Sequence, residues 1–541
     1  MSLQFIFGNS GSGKSHYLYQ QIVEESIRHP EKNYLVLVPE QFTMQTQKDL
    51  CMAHPRGGIM NIDVLSFGRL AHRVFEETGK ERQPILDDEG KNLVLRKIAG
   101  NYEDELTVLK GNLKKQGYIS EVKSVISEFT QYGIDFEQLD SFMEGLNPES
   151  YLYYKLKDIR KVYEGFEDYL RDKYITKEEL LDVLSQTVPE AKMLKDSVIA
   201  MDGFTGFTPV QNRLIGELLK VCDKIMLTVE IDRREDPFVY KHPYQLFALS
   251  KQMVTSLTEV AQEVRVEIDE PVWLCKNPSY RFKENPEMAF LEEELFRYSR
   301  RKYSGEKMRS ISLHEVHTPQ EEAQYVAEEI RRLVREEGYR YREIAVIASD
   351  LSTYADALEK ACDRYEIPVF MDHKKSILLN SFVEYVRSLL GMIQENFTYE
   401  SVFRYLRSGY CEFTEDDIDR FENYCLALGI KGYKKWQQAW ARKTKEADEE
   451  EVEKLNHLRV KFVEKIDPLM FVSRQKKKTV LDITLAVYEF IAGEHLQEKL
   501  EQQQKFFAEQ GELTLAKEYE QIYRIVMELF DKFSELLGDE P

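Results

Sequence analysis

The chain has 541 residues, of which 43% are hydrophobic and 31% charged, a balance typical of a globular protein with about three or four packed domains. Its 74 basic and 95 acidic side chains give a formal net charge of −21, which excludes coating of nucleic acid through overall charge but leaves room for a local basic channel. No segment approaches the roughly 18 apolar residues that span a membrane. Six scattered cysteines without C-x-x-C spacing predict reduced thiols in a cytoplasmic protein.

The first predicted elements are a strand, a glycine-rich loop and a helix. The apolar run "LQFIF" predicts the strand, "KSHYLYQQIVEE" predicts the helix, and "GNSGSGKS" between them matches G-x-x-x-x-G-K-[ST]. Glycines leave backbone N–H groups free to surround phosphate oxygens, while the lysine reaches the β and γ phosphates and the serine ligates magnesium. The context favours a site for ATP and Mg²⁺ over a simple turn, at Gly8, Asn9, Ser10, Gly11, Ser12, Gly13, Lys14 and Ser15.

Two further strand–helix pairs follow the loop. Strands are predicted at residues 34–39 and 62–65, each followed by a helix, so the chain begins as a doubly wound parallel sheet. Ligands of such sheets bind beyond the carboxyl ends of the strands. The residues at these ends, which could contact a ligand, are Gln41, Thr43, Ser66, Phe67 and Arg69. The alternative is that they cap helices or pack in the core.

The sheet is then interrupted by helical periodicity over residues 85–195, which predicts an inserted helical domain. It resumes with a strand at 198–201 that ends in Asp202, the place where P-loop enzymes hold the carboxylate that orients magnesium. The alternative is an ordinary strand-end aspartate. The next residue is Gly203, where P-loop helicases carry a glutamate that acts as general base, and the sequence does not place Glu217 or Glu230 at the site. We therefore predict nucleotide binding and assign no catalytic residue.

The second half begins with another α/β pattern. Strands are predicted at residues 311–316, 343–349 and 367–371, around two helices, and only helical patterns follow residue 376. Within the helical part, "KGYKKWQQAWARKTK" places Trp436 and Trp440 four residues apart, which favours a core stripe over a groove that stacks DNA bases. The run "RQKKK" is most simply a solvated connection.

Four motifs together carry a family resemblance: "GNSGSGKS", "LVLVPEQFT", "VLSFGRLAHRV" and "MDGFTGFTPVQ". They resemble the amino-terminal half of the AddB family, the B subunits of bacterial ATP-dependent helicase-nucleases that process double-strand DNA breaks. The similarity continues to "IPVFMDHKK" and covers essentially the whole chain. It implies an α/β fold with two RecA-like P-loop domains of the superfamily 1 helicase type, each with a helical insertion. The expected boundaries are 1–84 with 196–305 for the first domain, 85–195 for its insertion, 306–375 for the start of the second domain, and 376–541 for a truncated insertion.

The resemblance also implies roles for individual residues. Lys14 and Ser15 match the nucleotide loop of the family, Asp202 its magnesium carboxylate, and Gln211 a nucleotide-sensing glutamine. The surface that touches single-stranded DNA and scans for a recombination-hotspot sequence corresponds to Gln41, Thr43, Phe67, Arg69, His72, Phe204 and Phe207. The rings of Phe204 and Phe207 either stack on unpaired bases or pack under the magnesium loop.

The implied partners are an AddA-type helicase-nuclease subunit, in a heterodimer, and single-stranded and broken double-stranded DNA, with no membrane. The sequence departs from the family in lacking its nuclease domain, and the six cysteines have the wrong spacing for that domain's iron-sulfur cluster, so we expect the cluster only in full-length family proteins. The adenine-reading, glutamine-arginine motor and arginine-finger motifs of related helicases are also missing.

The leading hypothesis is a subunit of a helicase/exodeoxyribonuclease for break repair by homologous recombination, an enzyme at the family level, which binds ATP–Mg²⁺ and single-stranded DNA but hydrolyses ATP weakly. One alternative is an active superfamily 1 translocase with a substitute base. Another is a non-catalytic scaffold with a vestigial nucleotide site. A small-molecule kinase explains neither the second α/β unit nor the helical insertions.

Overall fold

The structure is a computed structural model that describes residues 1–79, 83–113, 115–171, 173–305, 308–371, 376–444 and 447–540. The chain divides into two compact units, Met1–Ser312 and Leu313–Pro541. This division lies close to the predicted start of the second domain at residue 306; the finer domain boundaries stay predictions. No helix in the described ranges is both long and apolar enough to cross a membrane.

Unit 1 is built on a parallel sheet in the order β3-β2-β6-β7-β1-β8, with β9 also paired to β1, and β4 and β5 form a separate ladder. The strands are β1 (Ser2–Gly8), β2 (Tyr34–Leu37), β3 (Ile62–Leu65), β4 (Ile85–Leu86), β5 (Ile175–Thr176), β6 (Val198–Met201), β7 (Lys224–Glu230), β8 (Glu267–Ile268) and β9 (Val272–Trp273). The predictions of β1, β2, β3 and β6 are confirmed.

Helices cover both faces of this sheet and form the insertion between β3 and β6. They are α1 (Lys14–Arg28), α2 (Thr43–Ala53), α3 (Phe67–Thr78), α4 (Asp88–Asn101), α5 (Gln116–Tyr132), α6 (Phe136–Glu144), α7 (Tyr151–Leu170), α8 (Leu180–Thr187), α9 (Pro209–Leu219), α10 (Ala248–Glu263) and α11 (Pro286–Glu294). The helical character predicted for residues 85–195 is confirmed, apart from the short β4–β5 ladder, which the sequence did not indicate.

The core of unit 1 explains why apolar runs predicted its strands well. Every residue of β2 and of β6 is buried, as expected of central parallel strands that are covered by helices on both faces. Two apolar clusters lie on the opposite faces of the sheet. Strand β7 lies between β1 and β6, so one strand separates the strand before the glycine-rich loop from the strand that ends at Asp202.

Unit 2 is helical in its described part. Its helices are α12 (Pro319–Glu336), α13 (Leu351–Arg364), α14 (Ser381–Gln394), α15 (Tyr399–Leu406), α16 (Glu415–Leu428), α17 (Tyr433–Gln437), α18 (Glu449–Ser473), α19 (Val480–Gly493), α20 (Leu496–Glu509) and α21 (Leu513–Leu537). Helices α12 and α13 pack on each other through a small apolar cluster. The remaining helices share a large aromatic core.

The strands predicted at residues 311–316, 343–349 and 367–371 are wrong for the described residues, because none of these segments is a paired strand. A strand needs a neighbouring strand to satisfy its backbone N–H and C=O groups, and among the described residues none is paired with these segments. One apolar side chain of each segment is left exposed: Leu313, Ile347 and Phe370 are 98%, 95% and 90% accessible. The second and third segments line a cavity of about 990 Å³ against α12 and α13.

The tryptophans at 436 and 440 belong to the core, as the sequence favoured. Trp436 and Trp440 are 1% and 8% exposed, and their rings contact each other at 5.2 Å. The spacing of four residues predicts that both tryptophans lie on one helix. This prediction is wrong, because α17 ends at Gln437. Trp440 instead reaches the core from the following segment, where its indole N–H donates to the carbonyl of Lys435 at 3.1 Å.

Candidate functional site

The glycine-rich loop joins β1 to α1 at the carboxyl edge of the sheet. Gly11 and Gly13 have φ of +70° and +91°, in the left-handed region where glycine carries no penalty. A side chain at Gly8 would meet the Ser12 hydroxyl at 2.3 Å. The loop therefore needs these three glycines to curl tightly enough to turn backbone N–H groups toward an anion at the start of α1.

The loop contains a buried polar atom with no partner among the described residues. Ser12 is 2% exposed, and its hydroxyl forms no hydrogen bond there. A buried hydroxyl without a partner costs free energy of roughly 1 to 3 kcal/mol. A phosphate oxygen in the loop would satisfy it, so this donor fits a polyphosphate ligand.

Lys14 lies at the first position of α1, and its ammonium donates to the carbonyl of Asn9 at 3.0 Å. Burial lowers its pKa, an effect that the charges of Glu230 and Asp202 partly offset. The lysine is therefore a partly desolvated cation beside the loop, and its attraction for phosphate is strengthened by its low-dielectric surroundings.

Asp202 follows β6 and is held by two side chains that the sequence did not single out. Tyr19 donates its hydroxyl to Oδ2 at 2.8 Å, and Thr228 on β7 donates its hydroxyl to Oδ1. Tyr19 lies one helical turn after Ser15 on the same face of α1, so Asp202 and Ser15 lie at the same end of the site. The carboxylate is 7% exposed and fixed in direction.

The residue after Asp202 is a glycine with backbone in the left-handed region. Gly203 has φ +76°, and a side chain there would point toward Pro39 and Phe42 at 3.6 and 3.8 Å. Glu230 lies instead at the end of β7, in register with Gly8 of the loop, and is exposed. Glu217 forms an ion pair with Lys220 at the end of α9.

A segment far away in sequence covers the loop. The backbone N–H of Arg281 donates to the carbonyl of Gly11 at 3.3 Å, and the side chains of Ser279 and Arg281 would meet a Cβ at Gly11 at 3.0 and 2.4 Å. Ser279 is 1% exposed, and its hydroxyl has no hydrogen-bond partner among the described residues. The ring of Tyr280 lies 3.7 Å from the corresponding position on Gly13. A hydroxyl, a guanidinium and an aromatic ring are thus added to the loop.

Asn9 ties this cover to the loop. Its amide nitrogen donates to the carbonyl of Lys276 at 3.1 Å and to the carboxylate of Glu292 on α11 at 3.2 Å, and its amide oxygen accepts from the N–H of Lys276 at 3.3 Å. Burial raises the pKa of Glu292, which the Asn9 amide partly offsets. These contacts fix residues 276–282 over the loop.

The side chains at this site could hold a magnesium ion only if phosphate oxygens supplied further ligands. Within the described part of the chain, no group of three or more His, Cys, Asp or Glu side chains is arranged to hold a metal. Mg²⁺ commonly takes one or two protein oxygens and completes its shell with phosphates and water. Ser15 and Asp202 are suitable for that role.

The predicted DNA-facing residues gather beyond β3, β2 and β6, which are neighbours in the sheet. The rings of Phe67, Phe204 and Phe207 contact one another, with centroids 5.1 to 6.2 Å apart. Phe67 is 8% exposed, so its ring is a base for the others, while Phe204 and Phe207 are half-buried. The two rings therefore pack on the core and still present surface.

The remaining predicted residues divide by what their side chains do. Gln41 on the turn before α2, and Arg69 and His72 on α3, are exposed. Thr43 is buried and donates to the carbonyl of Glu40 at 3.0 Å. Gln211 accepts from the backbone N–H of Thr208 at 2.9 Å in the capping box of α9, so here it is a helix cap, and its nucleotide-sensing role stays a prediction.

A parallel sheet with a glycine-rich loop after β1, a carboxylate at the end of β6 and β7 inserted between these strands defines a RecA-like P-loop fold. Comparison with known families agrees. The family model for the amino-terminal part of AddB ("ADDB, N-terminal") matches residues 5–292, more than half of the chain, and that for the UvrD-like helicase C-terminal domain matches residues 281–540. The chain belongs to the AddB family, and its fold class, α/β of the RecA-like superfamily 1 helicase type, is as predicted.

Curated relatives are named as the B subunit of an "ATP-dependent helicase/deoxyribonuclease". Those from Lachnoclostridium phytofermentans, Clostridium novyi and Acetivibrio thermocellus are 41%, 32% and 32% identical to the chain over all of its length. The chain spans about half of these relatives, 47%, 47% and 48% of their lengths.

Several contributors to the site escaped prediction from the sequence. Tyr19 had a signal, because it lies four residues after Ser15 and shares its helix face. Thr228 is one of several residues in a strand that reads as uniformly buried, which hides its polar role. Ser279 and Arg281 reach the loop from about 270 residues away, and no local pattern points to them.

Proposed function

We propose that this chain is a DNA-break-processing subunit that binds ATP–Mg²⁺ and single-stranded DNA, works with an AddA-type helicase-nuclease partner, and hydrolyses ATP weakly by itself. The observation that carries the proposal is the pairing of a complete phosphate cradle with a left-handed glycine at the position of the general base. The names of its relatives support the helicase-nuclease context and the existence of another subunit.

Different residues of the site would contact the phosphates, the magnesium ion and the base of the nucleotide. Backbone N–H groups of the loop and the hydroxyls of Ser12 and Ser279 would donate to phosphate oxygens, with Lys14 and Arg281 neutralising charge. Ser15 and Asp202 would hold the magnesium ion, which supplies charge neutralisation between phosphates when bound. Tyr280, exposed over the loop, is suited to pack on the base.

Weak hydrolysis follows from the missing general base. In P-loop helicases a glutamate removes the proton from the water molecule that attacks the γ phosphate. Gly203 offers no carboxylate. Bound nucleotide would then stabilise this unit by mass action instead of powering movement.

The DNA role is proposed for the edge beyond β3, β2 and β6. The exposed side chains of Gln41, Arg69 and His72 would position the strand, and the half-buried rings of Phe204 and Phe207 would stack on bases. Stacking alone tolerates any base. Selection of the hotspot sequence would therefore need further contacts with the bases at this same edge.

Substituting both half-buried rings tests the DNA role. Each stacked base contributes about 1 to 3 kcal/mol, so Phe204→Ala with Phe207→Ala should weaken single-strand binding by roughly tenfold or more in fluorescence anisotropy. Phe142→Ala, on an exposed ring of α6, is the control and should change little. Equal affinity of the double variant and the parent would remove this edge from the proposal.

A second candidate, an active translocase, is favoured by one observation. Glu230 is in register with Gly8, and its charge acts on Lys14. If the chain turns over ATP in a Lys14-dependent way, Glu230→Gln should abolish that turnover, whereas Glu217→Gln should not.

A further inference from the structure

Two basic segments that are about 40 residues apart meet in unit 2. The sequences "KGYKK" and "RQKKK" occupy residues 431–435 and 474–478. The guanidinium of Arg474 lies over the ring of Tyr433, 4.4 Å from its centroid, which joins the end of α18 to α17. We name the seven cations of these segments the basic patch: Lys431, Lys434, Lys435, Arg474, Lys476, Lys477 and Lys478.

Buried contacts hold both segments in place. Tyr433 is 1% exposed and donates its hydroxyl to Asp467 on α18. The N–H of Gly432 donates to the carbonyl of Phe397 at 2.9 Å. The second segment ends at Thr479, which caps α19. The patch is therefore displayed on anchored backbone.

The cations of the basic patch lack acidic partners. Among the described residues none of the seven forms an ion pair with a carboxylate, whereas Lys465 on the same α18 pairs with Glu412 and Glu494. The negative end of the α18 dipole accounts for Arg474 but not for the lysines beyond it. In a chain with a net charge of −21, seven cations without carboxylate partners on two adjoining segments form a local basic surface that attracts a polyanion.

We propose that the basic patch binds the phosphate backbone of duplex DNA. Duplex DNA carries about one negative charge per 1.7 Å of its axis, a density that a cluster of lysines matches. The rings between the lysines, Tyr433 and Trp436, are each 1% exposed, so they offer no platform for unpaired bases. This proposal builds on the proposed function, and it adds a second DNA surface, on unit 2, to the single-strand edge of unit 1.

The test compares two variants of the whole chain that lose the same charge. The patch variant carries Lys434→Ala, Lys435→Ala, Lys476→Ala and Lys477→Ala; the control carries Lys360→Ala, Lys461→Ala, Lys505→Ala and Lys517→Ala, four exposed lysines elsewhere on unit 2. Binding of a labelled blunt duplex of about 30 base pairs is followed by anisotropy between about 50 and 200 mM salt. We expect the patch variant to bind at least tenfold more weakly and its log–log salt slope to fall by about 3. The control should lose less than threefold.

Further arms keep the result decisive. Replacing the same four patch lysines by arginine should preserve binding, since charge is retained. Phe471→Ala, which removes a 72% exposed ring one turn before Arg474, should leave duplex affinity unchanged. Equal losses in patch and control variants, or a loss confined to single-stranded DNA, would overturn the proposal. So would a patch variant that keeps duplex affinity but no longer binds the helicase-nuclease partner, which would assign the patch to an acidic protein surface. The nucleotide and single-strand measurements on unit 1 are independent of all these outcomes.

Discussion

The hydroxyl of Tyr19 lies 2.8 Å from Oδ2 of Asp202, and this bond fixes the carboxylate against α1, the helix that follows the loop. Burial and the charge of Asp202 raise the pKa of Tyr19, so the phenol remains a donor throughout the physiological range. The bond links the helix that follows the loop to the carboxylate at the end of β6, the two parts of the proposed nucleotide site.

Removing that hydroxyl should weaken the magnesium-dependent part of nucleotide binding. Tyr19→Phe leaves Asp202 with Thr228 as its remaining side-chain donor, and the lost bond is expected to cost about 1 kcal/mol, or roughly fivefold in affinity. The measurement is calorimetric titration of a non-hydrolysable ATP analogue with and without Mg²⁺. Tyr17→Phe, on the same helix, is the matched control. An unchanged response to Mg²⁺ in Tyr19→Phe would remove Asp202 from the metal site.

Nucleotide affinity should depend on pH through Lys14. Burial lowers the pKa of this lysine, and a triphosphate binds best to its protonated form. Affinity is therefore full below the lowered pKa and declines as the pH rises through it, which a fluorescent ATP analogue can follow between about pH 7 and 10. Lys14→Met should bind weakly with a flat profile, and the exposed Lys48→Met should keep the parental profile. A decline that persists in Lys14→Met would assign the titration to another group.

Restoring a glutamate after Asp202 should not create a motor. Gly203 has φ +76°, so Gly203→Glu places a side chain in a left-handed conformation at a cost of about 1 kcal/mol in the free energy of unfolding. The new side chain would start out toward Pro39 and Phe42, which lie 3.6 and 3.8 Å from its Cβ. Gly206→Glu has open space around it and serves as the control for stability. Vigorous ATP turnover by Gly203→Glu would show that the backbone adapts.

The helical insertion should lose stability as the pH rises from 4.5 to about 7. Burial and the charge of Glu179 raise the pKa of Glu167 from 4.5 to about 7. An acid whose pKa is raised in the folded state costs nothing below its unfolded pKa, and the cost grows until the pH passes the folded pKa. Glu167→Gln should therefore raise the free energy of unfolding by about 1 kcal/mol at pH 8 and leave it nearly unchanged at pH 4, after allowance for solvent screening. Thermal melts at the two pH values check this, with the exposed Glu137→Gln as control; equal gains at both values would contradict it.

The parts of the fold that were predictable are those in which local sequence and burial agree. The loop from Gly8 to Ser15 is contiguous, so the spacing of its glycines, lysine and serine is enough to predict its backbone geometry. Strands β2 and β6 are buried on both faces, so they read as unbroken apolar runs. Residues 343–349 and 367–371 have the same apolar character without a neighbour to pair with, because composition reports the tendency to form a strand and pairing decides the outcome.

The site was predictable only where it is local. Asp202 could be identified because it ends a buried strand. The cover by Ser279 and Arg281, and the meeting of residues 431–435 with 474–478, depend on tertiary contacts across long stretches of chain. For "RQKKK" the interpretation as a solvated connection described the segment alone correctly, since Arg474, Lys476 and Lys477 are exposed. Their convergence through Arg474 and Tyr433 is what gives them a joint surface.

The most direct test of the central claim is ATP turnover by the 541-residue chain, with and without single-stranded DNA, beside Lys14→Ala. The variant corrects for contaminating ATPase, and binding of an ATP analogue to the parent is measured in the same samples. A chain that binds ATP but lacks a general base should bind the analogue in a Lys14-dependent way and turn over no faster than Lys14→Ala. DNA-stimulated turnover that disappears in Lys14→Ala would contradict this account and identify the chain as a motor.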